Sequence, residues 1–288
     1  MQSALTRQFL IPVLPALEAM FLELRAETDR TLNAETGAKY GQAYPYGYCM
    51  EITEDVLRRL SGMMNRPVSV GDRALSAFVR RGGRVNSIWG VLRDRYFQNA
   101  IKVGSLYIDV ANDTVDIRKP KIEILPIAKS GLELVRDAAH YARIGESYWQ
   151  AKFYANTALP ELAPYFPMIV RHPKGYLQLA SRNMYMVRLF ARNGFDLAQA
   201  WLLEGPRLSD AAVGRLRAAC PGPSVGDATG LDAALEACRR ERRRKRVLDG
   251  GAIANLLASF DRVPWVKEPE VGSANAHPDV SVSLNTIQ

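Results

Sequence analysis

The sequence predicts an α+β protein, with an antiparallel sheet packed on a cysteine-bearing helix and a mainly helical C-terminal region. Three observations carry this. Apolar residues recur at helical spacing over residues 4–33 and again from about Tyr48 to Met64. The pattern changes between Arg84 and Leu125 to short runs rich in β-branched and aromatic residues, separated by turn residues. Helical spacing then returns from about Ser130 to about residue 262.

The first helix is expected over 4–33, with Leu14, Leu17, Met20, Phe21 and Leu24 on one stripe and Glu23, Arg25 and Glu27 off it. Residues 34–47, rich in Gly, Ala and Tyr, read as a loop. A second helix follows from about Tyr48 to Met64. Cys49, Ile52, Val56, Leu60 and Met63 make its stripe, and Glu51, Glu54 and Asp55 sit in its early turns, where carboxylates suit the helix dipole. Strands are expected at Val85–Leu92, Tyr96–Val103 and Leu106–Val110, with a turn at Gly104-Ser105 and a fourth strand at Lys121–Leu125. Their short connections favour antiparallel neighbours. A long helix opens at Leu132, and further helices are expected at 147–158, 177–192, 195–203, 208–218 and 230–247. Residues 221–229 read as a linker and the tail from about Lys267 as loosely ordered. The resulting division is 1–128, 129–262 and 263–288.

The chain has 288 residues, 48% hydrophobic and 24% charged, enough to bury a core without staples. Three cysteines without Cys-x-x-Cys spacing argue against a disulfide framework or a cysteine-rich zinc site. A reducing, cytoplasmic setting fits. The apolar run Phe9–Leu22 is broken by Pro12, Pro15 and Glu18, so it reads as a core helix rather than a membrane span or signal peptide. The sequence lacks a Walker A loop, Gly-x-Gly-x-x-Gly after a strand, Gly-x-Ser-x-Gly and His-Glu-x-x-His. No cofactor or metal is expected.

Of the +8 net charge, +6 lies in the run Arg239, Arg240, Glu241, Arg242, Arg243, Arg244, Lys245 and Arg246. That run is a candidate patch for nucleic acid or an acidic partner. Its few aromatic neighbours and helical context equally suit a solvated helix face.

Cys49 stands where Tyr44-Pro45-Tyr46-Gly47-Tyr48 runs into the second helix. A helix N-terminus favours an anion and lowers a thiol pKa, so Cys49 is a candidate nucleophile. It also fits as a small apolar residue on its stripe. Asn99-Ala100-Ile101-Lys102-Val103 and Tyr107-Ile108-Asp109 follow on successive strands. This order resembles the transglutaminase-like branch of the papain-like fold, over about residues 40–125. There a cysteine heads a helix, the next strand reads roughly His-Ala-Trp-x-x-Val, and the third reads aromatic-x-Asp. The resemblance implies cysteine-dependent acyl transfer or hydrolysis on a protein or peptide, with Cys49 as nucleophile and Asp109 as the orienting residue. Asn99 occupies the histidine position. An amide has no useful basicity near neutral pH, so the general base is missing. Either catalysis is lost and a binding groove is kept, or His140 or His172 supplies the base.

Glu133, Asp137 and His140 at i, i+4 and i+7 suggest either a metal face or a solvated helix face. Val170-Arg171-His172-Pro173-Lys174-Gly175 is a basic turn that suits either an anion or an ordinary surface loop. His277 falls in the tail.

Overall fold

A computed structural model describes residues 1–35, 43–220 and 228–269. The chain divides into two compact units, Met1–Leu134 and one from Val135 onward. The class is α+β, and the second unit adds a sheet that sequence periodicity did not reveal.

The first unit opens with a short helix α1 (Gln2–Leu5), a π turn at Thr6–Leu10 and a 3-10 turn at Ile11–Val13. Helix α2 then runs Leu14–Glu35. The expected 4–33 helix is interrupted where Pro12 and Pro15 each remove a backbone donor. Helix α3 (Cys49–Met63) is followed by α4 (Val70–Arg80). The periodicity reading passed over α4. It starts at a capping box in which Ser69 Oγ accepts from Asp72 N at 3.1 Å and the Asp72 carboxylate accepts from Ser69 N at 2.9 Å.

Strands β1 (Val85–Leu92), β2 (Tyr96–Val103), β3 (Leu106–Asp109) and β4 (Glu123–Pro126) form an antiparallel meander. Strand β5 (Leu132–Glu133) pairs with β1, giving the order β4-β3-β2-β1-β5. The two edge strands are consecutive in the chain, joined only by Ile127–Gly131, and three of those residues form a 3-10 turn. Strands lie about 4.8 Å apart, so the edges of a flat five-stranded sheet would be about 19 Å apart. A link that includes a 3-10 turn, rising only about 2 Å per residue, falls short of that, so the sheet must curl. Arg93, in the β1–β2 turn, ties the curl: its N–H donates to Gly131 O at 2.8 Å and its guanidinium meets Glu123 at 2.6 Å.

The curl separates two faces. Ile101, Val103, Leu106, Ile108 and Val110 pack with Leu17, Phe21, Ile52, Val56, Leu60 and Phe78 of the helices. Leu92, Ala100 and Tyr107 cluster on the other face with Ile88, Leu125, Ile127 and Leu132.

At Gly90, β5 leaves β1 no room for a side chain. A Cβ there would lie 2.3 Å from the Glu133 carbonyl oxygen, a backbone atom that cannot rotate away. Gly90→Ala is therefore expected to lift β5 off β1 and cost about 2 kcal/mol. Hydrogen exchange at Val91 and Arg93, whose N–H groups face β5 and its approach, should rise in step with a lower urea midpoint. Unchanged protection would refute the account.

The second unit contains α5 (Ala138–Trp149), β6 (Lys152–Ala155), β7 (Met168–Arg171), β8 (Tyr176–Ala180), α6 (Met184–Ala191), α7 (Asp196–Glu204), α8 (Asp210–Ala219), α9 (Leu231–Arg244), α10 (Gly250–Asp261) and β9 (Val266–Lys267). Its sheet has the order β6-β7-β8-β9. Several expectations are corrected here. The long helix begins at Ala138 rather than Leu132, because Asp137 is its N-cap and accepts from His140 N at 2.7 Å. The helix expected at 147–158 stops at Trp149, where Gln150 is left-handed, and 152–155 is strand with alternating burial. The helix expected at 177–192 is strand β8 to Ala180, then α6 capped by Asn183. The proline-rich loop after β6 is pinned by buried Asn156, whose amide donates to Phe166 O at 2.8 Å and accepts from Leu159 N at 3.0 Å. Most of the expected linker (221–227) and of the tail (270–288) lies outside the described residues, as does His277. Among the described residues no helix is long and apolar enough to cross a membrane.

Candidate functional site

Cys49 is the first residue of α3 and is partly buried against the helix-side core. Gly47, at φ +75, turns the chain into the helix, and its N–H donates to Thr114 O at 3.0 Å. The Asn99 amide donates to Cys49 Sγ at 3.6 Å. Thr53, one turn along α3, donates its hydroxyl to Asn99 O at 3.3 Å, which fixes the helix against β2. The β1 residue opposite Asn99 is Trp89, whose ring stacks on Phe97 at 5.4 Å. Strand alternation puts Trp89, Phe97 and Asn99 on one face.

Asp109 does not join them. Side chains on β2 and β3 alternate, so Asn99 shares the helix-side face with Ile101 and Val103, while Asp109 shares the other face with Tyr107. The Asp109 carboxylate is fully buried. It accepts from Gln98 Nε2 at 2.8 and 2.9 Å, from Tyr107 OH at 2.9 Å and from Ala111 N at 2.9 Å. Position 99 therefore has no hydrogen bond to Asp109 to orient it. The structure joins Cys49 with Asn99 and sets Asp109 apart.

The electrostatics follow from burial. Burial pushes the Cys49 thiol up, the Asn99 amide pulls it back in part, and the Glu51 and Asp109 charges push it up further. The thiol thus stays protonated at neutral pH. The first unit contains no histidine.

Both candidate bases belong to the second unit. The His140 imidazole accepts from Arg136 N at 3.3 Å. Glu133, in β5, and Asp137, the N-cap, do not share a helix face with it, and no group able to hold a metal ion exists among the described residues. His172 sits in the β7–β8 turn, where its Nδ1 accepts from Lys174 N at 3.2 Å and its ring meets Trp265 edge-on. Burial, then the Lys174 charge, lowers its pKa. Arg171 of that turn pairs with Glu268 at 2.6 Å.

The basic run lies on α9 and just beyond it. Arg239 and Arg243 pair with Glu236, Arg240 with Glu161, Arg242 with Asp196, and Arg244 and Arg246 with Glu241. Lys245 is the left-handed C-cap. Each of the six arginines thus already has a carboxylate partner within the chain, which reduces the positive field available to a polyanion.

The sequence reading missed Arg25. It is fully buried and donates to Val110 O at 2.6 Å, to both Asp113 oxygens at 2.8 and 3.0 Å, and to Asp29 at 2.6 Å. Asp29 also accepts from Tyr44 OH at 2.5 Å and from Lys121. This cluster anchors the segment before Cys49 and the turn after β3 to α2.

Comparison of the chain with family models, with curated proteins and with solved structures finds no match.

Proposed function

We propose that the first unit is a transglutaminase-like, papain-like module that has lost acyl-transfer chemistry and holds a protein or peptide partner. The observation that carries this reading is the 3.6 Å contact of Asn99 Nδ2 with Cys49 Sγ at the head of α3. A helix-heading cysteine meets the strand position that the resemblance assigns to histidine, and an amide stands there. The amide can donate to sulfur but cannot take its proton. Burial and two carboxylates keep the thiol neutral.

The test is the rate of Cys49 alkylation between pH 5 and 9, with Cys220 and Cys238 replaced by serine. The rate should be slow at neutral pH and rise only above the free-thiol value of about 8.5. Asn99→His should move the inflection to lower pH, because an imidazolium beside the sulfur favours the thiolate. Fast alkylation of the parent below pH 7 would overturn the loss of catalysis and make Cys49 an active nucleophile.

A further inference from the structure

Asp109 has a different set of neighbours from the one its place in the motif implies. Among the described residues, three donors meet its carboxylate within the curled sheet: Gln98 Nε2, Tyr107 OH and Ala111 N. Gln98 is itself fully buried, and its Oε1 has no hydrogen-bond partner among the described residues. A buried carbonyl without a donor is uncommon in folded proteins. Here it adjoins the one group that would need an acceptor on gaining a proton. Rotating the Gln98 amide by half a turn would bring Oε1 to an Asp109 hydroxyl. Both protonation states of Asp109 thus have a bonded arrangement, and they differ in which end of Gln98 faces the carboxyl.

The rotation has a consequence outside the pair. Gln98 Nε2 also reaches Ala111 O at 3.3 Å. That carbonyl holds the turn after β3, accepting from Thr114 N at 3.1 Å and from Thr114 Oγ1 at 2.7 Å. Thr114 O in turn accepts from Gly47 N, two residues before Cys49. A continuous set of bonds therefore runs from Asp109 to the entry of α3.

We propose that Asp109 and Gln98 form a proton-operated switch, in which protonation of Asp109 reverses the Gln98 amide and loosens the turn that seats Cys49. Among the described residues, the charged and titratable groups around Asp109 are few. Glu123 stands directly opposite on β4 and is paired with Arg93 from the β1–β2 turn. Tyr107 lies on the same strand, Tyr96 opens β2 and is held by Lys119, and the Cys49 thiol feels the Asp109 charge from α3. Burial pushes the Asp109 carboxyl up to about 6, its three donors pull down, and Glu123 adds to the rise. The switch does not require that Cys49 ever acted as a nucleophile.

The experiment is an NMR titration of the full chain from pH 4.5 to 8. It follows the Asp109 carboxyl carbon, the Gln98 side-chain amide and the backbone amides of Ala111 and Gly47. All four should share one midpoint near pH 6. In Asp109→Asn, which mimics the neutral acid, the Ala111 and Gly47 amides should lose that transition. This variant also excludes histidine titration as the source. Should Asp109→Asn fail to fold, Gln98→Leu serves instead: Asp109 still titrates, at a different midpoint, but Gly47 no longer follows. An Asp109 midpoint below about 5, or a Gly47 amide that ignores an Asp109 transition near 6, overturns the proposal. Neither result touches the alkylation test of Cys49.

Discussion

Arg25→Ala should lower the unfolding free energy by about 3–5 kcal/mol, the range found when one partner of a buried ion pair is removed. Without the guanidinium, the Val110 carbonyl and the Asp113 carboxylate lose their partner among the described residues, where Asp29 keeps Tyr44 and Lys121. Lysine is a poor substitute, because an ammonium cannot bond bidentately to Asp113 while also reaching Asp29. The charge state adds to the effect. Burial alone would lift the Asp29 carboxyl, but the hydrogen bonds from Lys121, Tyr44 and Arg25 hold it below the ordinary value. A depressed folded pKa gives stability that is present above the unfolded value and lost as pH falls through the folded one. The urea midpoint of the parent should therefore drop more steeply in acid than that of Arg25→Ala. A loss under about 1 kcal/mol at pH 7 would show that the cluster contributes little.

Asp109 has the opposite sign. Its folded pKa, about 6, lies above the ordinary aspartate value of 3.8. The stability it contributes is fully present below about pH 4 and is lost as pH rises through about 6. Two pKa units correspond to on the order of 3 kcal/mol, which at pH 7 opposes folding. Asp109→Asn removes the charge and keeps the shape. The stability of this variant relative to the parent should rise between pH 4 and 7 and then level off. Taking the difference matters, because Asp29, Asp55 and Asp72 are all held below their ordinary values and tilt both curves the other way. A difference that stays flat across this range would mean that the Asp109 carboxyl titrates normally.

The meander was the most legible part of the sequence. Its strands have two clear breaks, at Arg93–Arg95 and at Gly104-Ser105, and the expected bounds of β1 and β2 coincide with those observed. The second sheet was hidden for a physical reason. Met168, Ile169 and Val170 are all fully buried, so β7 shows no alternation, and short apolar runs of this kind suit strand or helix equally. Helix α4 could have been found from Ser69-x-x-Asp72, a capping signal that does not depend on apolar spacing. Of the candidate site, the Cys49–Asn99 proximity was legible, since both positions follow from element order. The face of Asp109 follows from parity alone once β2 pairs with β3, and it sets Asp109 apart from Asn99. Arg25 lies off the stripe of Leu14, Leu17, Met20, Phe21 and Leu24 that the sequence shows on α2. Its position, four residues after Phe21 and one after Leu24, puts it on the buried side. What the spacing could not show is the partner that makes its burial tolerable, which lies 88 positions away.

That separation sets an order of events. Strands β1, β2 and β3 of the meander find neighbours a few residues off, and such loops close at little entropic cost. Arg25 must wait until two distant parts of the chain have already met. Interactions that form after the folding barrier leave the refolding rate almost untouched and slow unfolding instead. In a chevron plot, the destabilisation caused by Arg25→Ala should therefore appear on the unfolding arm. The buried guanidinium acts as a latch that governs how long the native first unit lasts rather than how quickly it is reached.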